Sequence, residues 1–290
     1  MTAIAAVRTY AENMARHRSR RRSDALLKDL RAVEAPLYEE TLPPADLRDV
    51  VACFWLRVVR GRAAGRPSSI IPDGCGDLMV YDDHPPLVAG PDATTRWVTL
   101  GDSTVITAVR FRPGGVRAIF ACSAMTILNR VVLLSDLTEG ASRLHERMLL
   151  ARSVHQRYSI LSDWIRSALH RNTMLDRRVR TACRWLTTDP HLDIGTVADR
   201  LGWNVRTIRR DFHAACGYGP KHFQRIMRIQ RAIRESHDAV RSNLAEIAVA
   251  AGFADQAHMT RDFRDITGFT PAQHLATTRP EFGLWIAEGW

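Results

Sequence analysis

The sequence predicts an α+β fold in two parts: a small β-barrel or sandwich with a helical layer, then an all-α domain of two helix-turn-helix units joined by a linker helix. Three observations predict it. From Leu47 to Pro113 the chain runs in short β-rich stretches broken by turn residues, and from Val116 onward the apolar period is helical. The last third then contains a repeat of about 50 residues. A length of 290 residues fits about two domains.

Composition narrows the classes. With 46% hydrophobic and 25% charged residues the chain has ample apolar material for real cores. The formal net charge is +10, nearly all of the positive charge being arginine, which favours an anionic partner, nucleic acid before membrane. Arginine's planar fork of donors suits phosphate and guanine edges better than lysine's point charge. The cysteines Cys53, Cys75, Cys122, Cys183 and Cys216 are odd in number and scattered, with no CxxC or Cys/His cluster. That argues against a disulfide framework and a zinc site, and suits a reducing cytoplasmic location. No apolar run approaches the roughly 18 residues of a membrane span. Arg16, Arg18, Arg20, Arg21 and Arg22 follow the apolar start, the reverse of a secretory signal. Residues 1–35 therefore read as a basic arm, with an organellar transit peptide as the alternative.

The β-rich part is expected over residues 36–172. Strands are predicted at Val50–Val59, Asp77–Tyr81, Arg96–Leu100 and Thr104–Phe111, separated by turn signals such as Pro72-Asp-Gly74, Pro85-Pro86 and Gly90-Pro91. Pro113-Gly114-Gly115 ends the last of them. Leu144, Met148 and Ala151 then form one helical stripe, and Tyr158, Leu161, Trp164, Ile165 and Leu169 another. Two readings stand for these stripes, a layer closing the β domain or a dimer interface. A boundary near His170–Met174 precedes the helical domain, 173–278, and residues 279–290 form a tail.

The repeat carries the functional reading. Its first copy is Ile194-Gly-Thr-Val-Ala-Asp-Arg-Leu-Gly-Trp203, then Asn204–Phe212, then Gly217-Tyr-Gly-Pro220. Its second is Leu244-Ala-Glu-Ile-Ala-Val-Ala-Ala-Gly-Phe253, then Ala254–Phe263, then Gly268-Phe-Thr-Pro271. Each copy is a short helix ending in Gly plus an aromatic, a helix containing Arg-Asp-Phe, and a Gly-aromatic-X-Pro close. Short helix, tight turn, second helix is the helix-turn-helix pattern, in which the second helix enters the DNA major groove. Helical spacing buries Val205, Ile208, Phe212 and Ala215 in the first unit and turns Arg206, Arg209, Arg210 and His213 outward. In the second, Met259, Phe263 and Ile266 face the core, while Ala257, Thr260, Arg261 and Arg264 face out. Asn204 and Asp255 are the expected N-caps. A joining helix from Pro220 to about Glu235, roughly 24 Å long, would set the two units along one face of a duplex.

These residues resemble a known family. Met174 to about Thr278 resembles the DNA-binding domain of the AraC/XylS transcription regulators. The run Ala248-Val-Ala-Ala-Gly-Phe-Ala-Asp-Gln-Ala-His-Met-Thr-Arg-Asp-Phe-Arg-Asp-Ile-Thr-Gly-Phe-Thr-Pro271 and the linker pattern Arg228-Ile-Gln-Arg231-Ala232 carry the likeness. The resemblance implies base-edge contacts from Arg206, Arg209 and Arg210, and from Ala257, Thr260 and Arg261. It implies phosphate contacts from Thr207 and Gln256. Met259 replaces a commoner aromatic, and Ala257 stands where a longer polar side chain often reads a base. The stretch Trp55…Ile71-Pro-Asp-Gly-Cys-Gly-Asp-Leu78…Gly90…Val109-Arg-Phe-Arg-Pro-Gly-Gly115 is similar to an N-terminal domain often attached to such modules. By that likeness a small-molecule sensor or dimerisation domain is implied.

Within that domain Trp55, Asp73, Asp77, Arg110 and Arg112 are the candidate effector residues. Arg110 and Arg112 share a strand face, so two arginines near two aspartates suit an anionic or hydroxylated ligand. Structural salt bridges are the competing reading, and Cys75 reads either as a redox sensor or as an inert turn cysteine. The expected function is a sequence-specific, cytoplasmic regulator of transcription that binds double-stranded DNA and acts on RNA polymerase. It would answer to a small molecule or a partner, with a homodimer as one option, and needs neither membrane, metal nor cofactor. No nucleophile–base constellation or phosphate-binding Gly loop appears. The alternatives are a DNA-repair or other enzyme fused to a DNA-binding domain, and an architectural protein binding DNA without sequence preference.

Overall fold

The structure, a computed structural model, describes residues 36–171, 177–238 and 243–277. The basic arm over 1–35, the tail over 279–290 and the boundary residues 172–174 lie outside the described residues.

The N-terminal body holds strands β1 (Leu37–Thr41), β2 (Val51–Val58), β3 (Pro67–Ile70), β4 (Gly76–Tyr81), β5 (Leu87–Ala89), β6 (Arg96–Thr99), β7 (Val105–Phe111) and β8 (Val131–Leu133). Six of them form an antiparallel sheet in the order β1-β2-β7-β4-β5-β8, and β3 pairs with β6 in a separate ribbon. The two end strands do not meet, so among the described residues the sheet is open. The sandwich alternative holds and the closed barrel does not.

Side-chain alternation divides the sheet between two environments. Phe54, Leu78, Val80, Val109 and Phe111 point to one face, where helices cover them. These helices are α1 (Gly115–Phe120), α2 (Ala141–Leu150) and α3 (Val154–Arg171). The predicted stripe residues Leu144, Met148, Leu161 and Ile165 are buried in this same core, with Tyr158, Trp164 and Leu169 packed at its margin. The helical stripes thus close the β domain. Arg157 of α3 is buried within that layer, donating from Nη2 to Asp82 Oδ1 at 2.7 Å and from Nη1 to Thr107 Oγ1 at 3.1 Å. The opposite sheet face carries Cys53, Trp55, Tyr81, Ile106 and Ala108, with Leu100 from the end of β6 packed on them.

The C-terminal body is helical: α4 (Arg177–Thr188), α5 (Ile194–Arg200), α6 (Val205–Cys216), α7 (Pro220–Asp238), α8 (Leu244–Ala250), α9 (Gln256–Thr267) and α10 (Pro271–Thr277). Ile208, Phe212, Phe223, Ile226, Met259, Phe263 and Ile266 share one core, so both repeat copies and the helix between them are a single packed unit. The two bodies touch through polar and apolar contacts. Gln230 of α7 donates to the Pro72 carbonyl at 2.7 Å, the His222 ring meets the Ala93 carbonyl at 2.9 Å, and Thr95 N–H donates to the Ile266 carbonyl at 2.9 Å. Trp97 lies edge-on to Phe269 with ring centroids 5.8 Å apart.

Candidate nucleic-acid interface

Each repeat copy builds its turn and second helix from the same local chemistry. Helix α5 starts under Asp193, whose carboxylate accepts from the N–H groups of Gly195 and Thr196, and α8 starts in a capping box between Asn243 and Glu246. Between the helices of each unit the chain reverses at Gly202 (φ +65°) and Gly252 (φ +88°), left-handed conformations that disfavour any side chain. A Cβ on Gly252 would also lie 2.4 Å from Pro190 Cβ. Asn204 then caps α6 by accepting from Thr207 N–H at 2.8 Å, and Asp255 caps α9 by accepting from His258 N–H at 2.6 Å.

The inward stripes are buried as the spacing requires, at Ile208, Phe212 and Ala215 in α6 and at Met259, Phe263 and Ile266 in α9. Val205 departs from this: it is 38% exposed because the first residue of α6 overhangs the core. Arg206, Arg209, Arg210 and His213 are exposed on α6, with Thr207 half-buried beside its cap. On α9, Gln256, Ala257, Arg261 and Arg264 are exposed and Thr260 is half-buried. Those five α9 residues line one shallow depression of about 500 Å³.

The electrostatics of the two helices differ. Arg210 lies along its neighbour Asp211, Nε to Oδ1 at 2.8 Å, whereas Arg206 and Arg209 form no ion pair with another described residue. In α9 the equivalent aspartate, Asp262, is 6% exposed and turned toward α7, where Arg225 Nη2 stands 2.9 Å from Oδ1. Arg225 also reaches Asp265 at 2.8 Å. His258 Nε2 lies 3.7 Å from the other Asp262 oxygen. The Asp of the Arg-Asp-Phe motif therefore braces the second helix on the connector, a role the repeat pattern alone did not disclose.

In the N-terminal body, four of the five candidate effector residues come together. Trp55 Nε1 donates to Asp77 Oδ1 at 2.8 Å, and Arg110 Nε donates to the same oxygen at 3.2 Å. Arg110 Nη1 is 3.8 Å from Asp73 Oδ2, and Asp73 Oδ1 accepts from Cys75 N–H at 2.9 Å. Arg112 Nε donates to the Arg48 carbonyl at 2.6 Å, and Arg110 is the arginine placed against both Asp73 and Asp77. Burial raises the Asp73 carboxyl above its ordinary range, offset by the Arg110 charge. Burial likewise pushes the Cys53 thiol up to about 12 and holds the Cys75 thiol well above its ordinary value. A thiol so far from thiolate does not suit the redox-sensor reading of Cys75.

Two exposed second helices on one core, each set by a cap and a glycine turn, define a double helix-turn-helix domain. A family described as "Helix-turn-helix domain" matches residues 197–277, and a domain family of unknown function, DUF6597, matches residues 39–133. The chain is 26% identical over 144 residues to an arabinose operon regulatory protein of Salmonella typhimurium, covering 48% of this chain and 49% of that protein. It is 29% identical over 119 residues to the HTH-type transcriptional activator RhaS of Escherichia fergusonii, covering 37% and 41% respectively. The matches thus span less than half the length of these relatives. A crystal structure of a probable AraC family transcriptional regulator from Rhodopseudomonas palustris is 27% identical, covering 36% of this chain and all of that one, with a TM-score of 0.33. By these matches the C-terminal domain is similar to the DNA-binding domains of AraC/XylS regulators.

Proposed function

We propose that this protein is a sequence-specific, cytoplasmic regulator of transcription that lays α6 and α9 in successive major grooves of double-stranded DNA. One observation carries the reading: two helices of one packed domain both present arginine-bearing faces to solvent, while their opposite faces share a core. In this reading Arg206, Arg209 and Arg210 reach base edges from α6, and Ala257, Thr260 and Arg261 do so from α9. Thr207 and Gln256 hold phosphates near the helix starts, with His213 and Arg264 at the far ends of the two faces. Bidentate arginine–guanine contact is worth about 1–3 kcal/mol of discrimination. RNA polymerase is the partner through which bound protein alters transcription, and the Trp55–Asp73–Asp77–Arg110 cluster, with Arg112 beyond it, is where a small-molecule effector acts. The reading sets the α6 and α9 of one chain along one face of the duplex and assigns no catalytic step to the chain.

A competition gel shift tests the central part. Unlabelled promoter DNA is expected to displace a labelled promoter fragment far better than unlabelled random DNA does. Equal displacement by both would favour an architectural binder and end the sequence-specific reading.

A further inference from the structure

We propose that the two helices read chemically different halves of the DNA site, guanine edges under α6 and thymine methyl groups under α9. The proposal rests on the DNA-binding reading above and adds what each half recognises. The decisive residues are Ala257 and Thr260. They lie three apart on the outward row of α9, inside the depression bordered by Gln256, Arg261 and Arg264. Ala257 offers only a methyl group. Thr260 donates its hydroxyl to the Gln256 carbonyl at 2.8 Å, one turn back in the same helix. Its donor is thereby used within the helix, and the other branch of the side chain is a methyl. The outward row of α9 therefore carries, at Ala257 and one turn on at Thr260, two small side chains with a methyl group and no free donor.

In the major groove thymine alone among the four bases carries a methyl group, and alanine and threonine methyls are its natural contacts. Adenine or cytosine set against this patch would have its groove-edge polar groups desolvated without a partner, which costs free energy. Helix α6 has the opposite character. Its outward row carries Arg206 and Arg209, and the exposed apolar residue Val205 sits on the inner stripe, three before Ile208. Long forked donors of that kind match the O6 and N7 acceptors of guanine. The site so described is asymmetric, which would give the bound protein a fixed direction along the duplex.

The test uses the full chain. A bound sequence is first selected from random DNA, and the positions that lose preference with Arg209→Ala mark the α6 half. Each thymine is then replaced singly by deoxyuridine, which lacks only the methyl, and binding is measured by fluorescence anisotropy. One or two replacements in the other half should each weaken binding about fourfold, the equivalent of ~0.8 kcal/mol for one buried carbon group. Replacements in the α6 half should leave binding unchanged, while 7-deazaguanine there should weaken it. Ala257→Gln should move the preference at one α9 position from thymine to adenine, because glutamine pairs with adenine N6 and N7. Deoxyuridine tolerated at every position, or felt only in the Arg209-dependent half, overturns the proposal while leaving the regulator reading intact. Failure to select any sequence removes the regulator reading itself.

Discussion

Asp82→Ala should destabilise the N-terminal body by about 3–5 kcal/mol, because it strands a buried guanidinium. Arg157 has no exposed side-chain surface and Asp82 only 6%, and their closest approach is 2.7 Å. Taking both charges out of water was costly, and their mutual attraction with the Thr107 hydroxyl is what offsets it. A solvent-exposed pair at the same distance would be worth about 0–1 kcal/mol. Urea unfolding followed by tryptophan fluorescence separates these cases. With a slope of about 1–3 kcal/mol per molar, the larger loss moves the midpoint by at least about 1 M. Arg157→Met combined with Asp82→Ala should cost less than Asp82→Ala alone, since no unpaired charge is then buried. A single-variant loss below about 1 kcal/mol, or a double variant costing the sum of its parts, would refute the stranded-charge explanation.

Other expectations follow from the same contacts. Arg209→Ala should lower discrimination between cognate and random DNA by about 1–3 kcal/mol, read as the ratio of two dissociation constants. Gln230→Ala leaves the Pro72 carbonyl buried without its 2.7 Å donor. It should cost about 1–3 kcal/mol and split the thermal unfolding of the two bodies into separate transitions by calorimetry. Asp92 is raised from its ordinary value to about 6, chiefly by burial and against the pull of Arg96. A folded-state value above the unfolded one means the folded protein binds the extra proton. The associated stability is therefore present below about pH 4 and lost as pH rises through about 6. Relative to Asp92→Asn, the wild-type chain should gain on the order of 1–3 kcal/mol between pH 7 and pH 4 by urea unfolding, and no gain would contradict the assignment.

Where a residue's fate is set by its near neighbours, the sequence was a good guide. The four predicted strands appear as β2, β4, β6 and β7, because each is long enough to show alternation or a continuous apolar run. The caps Asn204 and Asp255 and the glycine turns depend on backbone chemistry within three residues, and both were legible. Strands β5 and β8 were not, since three residues carry no period, and Val131–Leu133 falls in a stretch that reads as helical. β3 begins at Pro67 and pairs only with β6, so its pattern is weak as well. Long-range choices were the hardest. Arg112 follows Arg110 by two residues but lies just past the end of β7, where its Nε donates to a carbonyl 64 positions away. Asp262 repeats Asp211 in the motif, but meets Arg225 only because α7 passes beneath α9. Arg157 looks in sequence like one more charge on a helix, and only the arrival of Asp82 makes a buried site for it.

The most direct test of the account is a hydroxyl-radical footprint of the full chain on a sequence selected from random DNA. Two protected segments are predicted on one face of the duplex, their centres about one helical turn, roughly 10 base pairs, apart. Arg209→Ala should remove the segment under α6 and Arg261→Ala the one under α9. A single short protected segment, or uniform protection that neither substitution alters, would contradict the claim that both helices read DNA together.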